Sequence, residues 1–225
     1  MSTPPRIGFL HTAQVHVETF EALLPDAAAA LHRVQPELLA RAQQPLSAAE
    51  RAALGVDVRE ALTALEADGA DVVVCTCSTL GPLAEEVAGS LGVPVVRIDR
   101  PMARAAVAAG PRIGVLAAVA STLEPTLALL ADEARAVGAE VEVREQVVEG
   151  AWALFQSGQE AAYRETIADA ARRLADEVDV LVLAQASMAG AVPLLVDLAT
   201  PVLTSPASAV AAALDRREPT RRNPA

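Results

Sequence analysis

The chain has 225 residues, of which 52% are hydrophobic, 2% aromatic and 21% charged, and a chain this apolar offsets its folding entropy by burial, which excludes a disordered polymer. Eighteen basic against 29 acidic residues leave a net charge of −11; with so few aromatic rings, this excludes a phosphate-neutralising, base-stacking nucleic-acid surface and disfavours anionic membranes as partners. All 18 basic residues are arginine, so imine catalysis, pyridoxal phosphate attachment and phosphate-loop lysines are excluded as well.

Residues 1–5 carry no positive region leading into a long apolar run, and no apolar stretch reaches the length of a membrane span. Two cysteines in a chain of this size are no disulfide framework. The expectation is a soluble protein of a reducing, cytoplasmic compartment.

In chain order, short continuously apolar runs read as strands: Ile7–Leu10, Val72–Val74, Val93–Ile98, Ile113–Leu116, Val180–Leu183 and Pro201–Leu203, with Glu140–Val148 as a further candidate. Such runs suit parallel strands covered on both faces. Between them, Ala48–Glu66, Leu80–Leu91, Leu123–Val137 and Glu160–Ala175 have helical composition and period. The alternation predicts an α/β fold with largely parallel sheets. His16 and His32 fall in helical or connecting sequence and read as surface residues. Trp152 and Phe155 read as core.

The chain also repeats itself. Arg6-Ile7-Gly8-Phe9-Leu10 returns as Arg112-Ile113-Gly114-Val115-Leu116, and Ala70-Asp71-Val72-Val73-Val74 as Val178-Asp179-Val180-Leu181-Val182. Val93-Pro94-Val95-Val96 is echoed by Thr200-Pro201-Val202-Leu203, and each echo leads through a proline (Pro101, Pro206) into an Ala-rich helix. A duplicated unit follows: a first lobe over 1–104 with the helix 206–217 packed on it, a second over 105–205, and a loose tail at 218–225. The two lobes are expected to be pseudo-symmetric, with a cleft between the carboxyl ends of their strands, where open α/β sheets bind ligands.

Candidate chemistry therefore lies just after the strands. Val72–Val74 runs into Cys75-Thr76-Cys77-Ser78-Thr79. Cys77 falls at a strand-to-helix turn, where unpaired N–H groups and the helix dipole favour a thiolate, and the same groups with Ser78 and Thr79 suit a carboxylate; the alternative is that Ser78 or Thr79 only caps the helix and both cysteines are small core residues. Cys75, within the strand, reads as a small core residue; a Cys-x-Cys redox pair is the other option. The matching turn of the second half carries Gln185 opposite Cys77 and Ser187 opposite Thr79, and an amide does not shuttle protons near neutral pH. His11 and Thr12 end the first strand, with His11 either an acid/base group or a hydrogen-bonded structural histidine. Ser121-Thr122-Leu123-Glu124 reads as a capping box whose hydroxyls also suit an anion. Three histidines with no second ligand pair at metal spacing speak against a metal.

These turns and the duplicated halves resemble the aspartate/glutamate/hydantoin racemase superfamily, which includes maleate isomerases and arylmalonate decarboxylases. Where the family usually has Cys-Asn-Thr, this chain has Cys77-Ser78-Thr79; where it has Gly-Cys-Thr or Gly-Cys-Ala, this chain has Ala184-Gln185-Ala186. The resemblance implies cofactor-free proton transfer on a small carboxylate, an amino acid, hydantoin or dicarboxylate, with Cys77 as the catalytic thiol. It makes Ser78, Thr79, Ser187, Ser121 and Thr122 substrate contacts, Thr12 and Gln185 at the strand ends join them as candidate substrate-binding residues, and a homo-oligomer fits. With Gln185 in place of the second thiol, three outcomes stay open: His11 as the second acid/base, one-sided chemistry such as decarboxylation or cis–trans isomerisation, or carboxylate binding without turnover.

Overall fold

Runs of β-branched residues bounded by Gly, Pro and Asp lead into helices throughout the chain, and a computed structural model describes the result over residues 4–217. The expected tail at 218–225 lies outside the described residues. The chain divides into two units: residues up to Ile98 together with those from Pro206 on, and Asp99–Ser205. The first boundary thus falls before Asp99, where the sequence reading ended its first lobe at Arg104.

In the first unit, β1 (Arg6–His11), β2 (Ala29–Val34), β3 (Val72–Cys75) and β4 (Val95–Arg97) form a parallel sheet of order β2-β1-β3-β4. Its helices are α1 (Val15–Glu21), α2 (Pro36–Ala42), α3 (Ala48–Ala67) and α4 (Gly81–Val87). In the second unit, α5 (Arg100–Ala109) is followed by β5 (Arg112–Ala117), α6 (Leu123–Val137), β6 (Glu142–Val147), α7 (Ala151–Gln156), α8 (Glu160–Ala175), β7 (Val180–Leu183) and β8 (Val202–Thr204). Its sheet is again parallel, with order β6-β5-β7-β8. The last helix, α9 (Ser205–Arg217), joins the first unit from Pro206 on.

Both faces of each sheet are covered, as continuous apolar strands require. In the second unit Ile113, Val115, Ala117, Val180, Val182 and Ala184 pack with Met102, Ala106, Leu129 and Leu130 of α5 and α6. The alternate positions Leu116, Leu181 and Leu183 pack with Tyr163, Ile167 and Leu174 of α8. In the first unit Leu10, Val73 and Cys75 face Leu54, Val58, Leu62 and Leu65 of α3.

The repeated motifs have structural work to do. Asp71 accepts the backbone N–H of Arg6 at 2.9 Å, and Asp179 accepts that of Arg112 at 2.9 Å, so each Arg…Asp pair pins neighbouring strands at their start. The repeated glycine lets a helix come close: a Cβ on Gly8 would stand 3.0 Å from the Cβ atoms of Leu65 and Ala70, and one on Gly114 2.9 Å from Cδ2 of Leu174 and Leu181.

Three expectations need correction. The helix expected over Leu80–Leu91 is broken into a 3-10 turn (Ser78–Leu80), α4, and a second 3-10 turn (Ala88–Ser90). The capping box at Ser121–Glu124 does not form: a 3-10 turn (Ala120–Thr122) feeds α6, Thr122 already has helical dihedrals, and no side chain caps the helix. A cap residue needs extended backbone for its oxygen to reach back. Finally, β2 was not expected, and it carries His32 in the sheet instead of on a surface connection. Among the described residues no helix is long and apolar enough to cross a membrane.

Candidate active site

The predicted residues fall into two groups, one at the carboxyl edge of each sheet. In the first unit, Leu10 pairs with Cys75, so Thr12 and Cys77 leave the sheet level with one another, two residues further on. Cys77 has extended dihedrals (φ −110°, ψ 114°), after which the chain turns through Ser78–Leu80 into α4, entered by Pro82. Strand geometry ends there because successive side chains must switch from period two to a helical repeat within three residues. Thr12, Cys77 and Ser78 are buried, Cys77 being 8% exposed, and Thr79 is half-buried. The Cys77 side chain belongs to the apolar cluster that holds Leu10, Leu38 and Leu80. Cys75 is fully buried, unbridged to Cys77, and its thiol donates to the Cys77 carbonyl at 3.7 Å.

Sequence reasoning missed Arg97. It ends β4 in register with Cys75, is 5% exposed, and pairs with Glu85 of α4 at 3.3 Å. Its side chain lies against Gly81, where a Cβ would come 2.4 Å from the arginine Nε. A buried cation thus fastens the first turn of α4 beside the thiol; the charged residue within an otherwise apolar strand was the available signal.

His11 is fully buried and both of its ring nitrogens are engaged: Nδ1 stands 2.9 Å from the Thr76 Oγ, and Nε2 2.8 Å from Nδ1 of His32. Its ring stacks over Phe9 (5.8 Å) and His32 (5.1 Å) and lies 5.4 Å from Phe20. Burial, then the neighbouring His16 and His32, push its pKa down to about 3. His16 is buried on α1, not on the surface, and burial lowers its pKa to about 4. Among the described residues no group of three or more His, Cys, Asp or Glu is arranged to hold a metal ion.

In the second unit Gln185 follows β7, and its Oε1 accepts two backbone hydrogen bonds, from Ala118 at 2.6 Å and Val119 at 3.0 Å. The donors belong to the turn that ends β5. Ser121 and Thr122 lie in the same turn: Thr122 is buried, its carbonyl accepting from the Thr126 hydroxyl at 2.8 Å, and the Ser121 Oγ is buried with no hydrogen-bond partner. Ser187 is paired at 2.8 Å with the Tyr163 hydroxyl, whose pKa burial raises to about 12 against the opposing Ser187 contact. Phe155 stacks between Trp152 (5.2 Å) and Tyr163 (5.4 Å) and packs on the core, so these rings lead toward Ser187.

The sequence profile of one protein family, described as Asp/Glu/Hydantoin racemase, matches residues 10–213. The chain belongs to that family. No curated protein sequence matches it. Solved structures do share the racemase-family fold: Picrophilus torridus aspartate racemase (TM-score 0.68, 17% identity, 95% of this chain and 94% of that one) is one. Allantoin racemase from Klebsiella pneumoniae has a TM-score of 0.67 at 19% identity, over 94% and 86% of the two chains. Arylmalonate decarboxylase has a TM-score of 0.67 at 18% identity, over 96% and 94%. At these identities the likeness is one of fold.

Proposed function

We propose that this chain is a cofactor-independent racemase- or isomerase-type enzyme that moves a proton on the α-carbon of a small carboxylate, with Cys77 as its reacting thiol. The observation that carries the reading is the placement of Cys77 level with Thr12 at the carboxyl edge of the first sheet, at a turn lined by Ser78 and Thr79, in a chain of the racemase family. Thr12, Ser78 and Thr79 supply hydroxyls to the substrate carboxylate. As the Cα–H bond breaks, the proton goes to the thiolate and the electron pair spreads onto the carboxylate oxygens, where hydrogen-bond donors stabilise it.

The chemistry is one-sided. Gln185 cannot return a proton, and its oxygen is already held by two backbone N–H groups. His11 does not replace the missing thiol in this reading, because both its nitrogens face protein partners and burial keeps it neutral. Two reactions need only one thiol: loss of CO2 from a malonate-type diacid, the pair left on Cα taking the Cys77 proton, and cis–trans isomerisation of an unsaturated diacid, in which the Cys77 thiolate adds to the double bond, the new single bond rotates, and the thiolate leaves as the double bond re-forms. Arylmalonate decarboxylase, one of the structural neighbours, carries the first of these in its name.

The test is incubation in D2O with amino acids, hydantoins, maleate and substituted malonates, following Cα deuteration, isomerisation and CO2. Wild-type turnover that is lost in Cys77→Ala is the expected result, and turnover that survives the substitution overturns the assignment. The 8% exposure of Cys77 favours a second reading, a carboxylate-binding protein without turnover. That reading predicts a Cys77 alkylated no faster than a free thiol of pKa about 8.5.

A further inference from the structure

Behind the thiol turn runs a line of hydrogen bonds that the reading above does not use. It starts at the half-exposed Glu21 on α1, whose Oε1 is 3.0 Å from Nε2 of His32. His32 Nδ1 is 2.8 Å from Nε2 of His11, and His11 Nδ1 is 2.9 Å from the Thr76 Oγ. The Thr76 hydroxyl stands 2.9 Å from the carbonyl oxygen of Leu10.

Two proton arrangements satisfy the line, and they differ by one proton on His32. In the first, the Thr76 hydroxyl donates to the Leu10 carbonyl, and the Thr76 oxygen accepts from His11 Nδ1–H. His11 is neutral and therefore carries a bare lone pair on Nε2, which must accept from His32 Nδ1–H. A carboxylate at Glu21 is likewise acceptor-only and needs His32 Nε2–H. In this arrangement His32 donates from both nitrogens, as an imidazolium.

We infer that Glu21, His32 and His11 form a positioning relay for the Cys77 turn, in which His32 protonated on both nitrogens holds His11 in its Nδ1–H tautomer and so aims the Thr76 hydroxyl at Leu10. Removing one proton from His32 reverses the line. His32 keeps Nε2–H toward Glu21, and its bare Nδ1 then faces His11 Nε2, where two lone pairs at 2.8 Å repel. His11 relieves this by carrying its single proton on Nε2, and the Thr76 hydroxyl turns from Leu10 to the bared Nδ1. The Leu10 carbonyl keeps its other partner, the Thr76 backbone N–H at 3.0 Å. A protonation change at the margin of the unit is thereby passed to the residue preceding Cys77, with His11 never charged.

From α1 His32 meets Glu21, and from β1 it meets His11 and the ring of Phe9 at 5.4 Å. His16, also on α1, stands 6.2 Å from His11. The neighbouring Arg33 on its own strand pairs with Asp68 at the end of α3.

The relay concerns Cys77 only if the thiol reacts, so that part rests on the proposed function; the tautomers do not. The experiment is a pH titration of the full chain with 15N-labelled histidine, read from ring nitrogen shifts, alongside the rate of Cys77 alkylation by iodoacetamide. At the low-pH end of the folded range both His32 nitrogens are expected to be protonated and His11 to be protonated at Nδ1. As His32 loses its proton, His11 Nδ1 and Nε2 are expected to exchange shifts in the same step. The alkylation profile then shows a step at that pH besides the ionisation of Cys77, and His32→Leu removes the step while keeping the ionisation. A His11 tautomer that does not change as His32 titrates overturns the relay, with or without a folded His32→Leu variant. An alkylation step that persists in His32→Leu overturns its link to Cys77. Neither result bears on whether Cys77→Ala abolishes turnover, which tests the function separately.

Discussion

Replacing Gln185 by alanine isolates what the side chain does in its own unit. Its Oε1 satisfies two backbone donors, at 2.6 and 3.0 Å, from a turn in which Ala118 is buried and Val119 half-buried. Leaving the buried Ala118 N–H without an acceptor costs about 1–3 kcal/mol, and losing the bond to the half-buried Val119 costs about 0.5–1.5 kcal/mol. Water entering the space of the lost amide recovers part of this, so the net loss is on the order of 2 kcal/mol. In a chain of this length that is a fall of roughly 4–8 °C in Tm. The assay is urea unfolding of Gln185→Ala and Gln185→Glu against wild type, with amide exchange followed at Ala118 and Val119. The glutamate variant keeps an acceptor in place and is expected to stay within about 1 kcal/mol of wild type. Gln185→Cys, which would restore a thiol to the second turn, is expected to lose as much as alanine. An alanine variant with an unchanged midpoint and unchanged exchange at both amides would refute the reasoning.

Acid should destabilise the protein through His11 and His16, whose folded pKa values, about 3 and about 4, lie below the ordinary 6.5. The unfolded chain then binds more protons, so the stability present above pH 6.5 falls by roughly 1.4 kcal/mol per pH unit for each ring, until pH 4 for His16 and pH 3 for His11. Urea midpoints between pH 7 and 4.5 should track a loss on the order of 5 kcal/mol, and His16→Gln should flatten the slope by half; a flat profile contradicts the burial argument. Gly8→Ala should cost about 1–3 kcal/mol by overpacking, because the new methyl meets Cβ atoms fixed to the backbones of α3 and Ala70. Gly114→Ala should cost less, since Leu174 and Leu181 offer movable Cδ2 tips; the opposite order of denaturation midpoints counts against this account.

Strands buried on both faces announce themselves by unbroken runs of Val, Ile and Leu, which is why β3, β5 and β7 were legible to within a residue or two. Edge strands hide. The β2 sequence Ala-Ala-Leu-His-Arg-Val opens on alanines and is nowhere fully buried, so neither propensity nor period marks it. Missing β2 also displaced His32: only the pairing of Phe9 with His32 across two strands brings its ring to His11. At the site, the turn carrying Cys77 could be read from its place after an apolar run. The partners of Gln185, Ser187 and Arg97 lie 24 to 67 residues away or on another element, and such contacts leave no local pattern.

The order of the segments bears on how the chain is made. The unit Asp99–Ser205 is one unbroken stretch, whereas the other unit consists of residues up to Ile98 and the segment from Pro206 on. On a ribosome, chains are completed from the N-terminus, and domains fold as units as they emerge. The uninterrupted unit can therefore close first, although it is encoded second. The unit that carries Cys77 is completed by a helix synthesised more than a hundred residues after its last strand. A gene cut between Ile98 and Asp99 would leave the thiol-bearing fragment without that helix, while the Gln185 fragment would keep the whole of Asp99–Ser205.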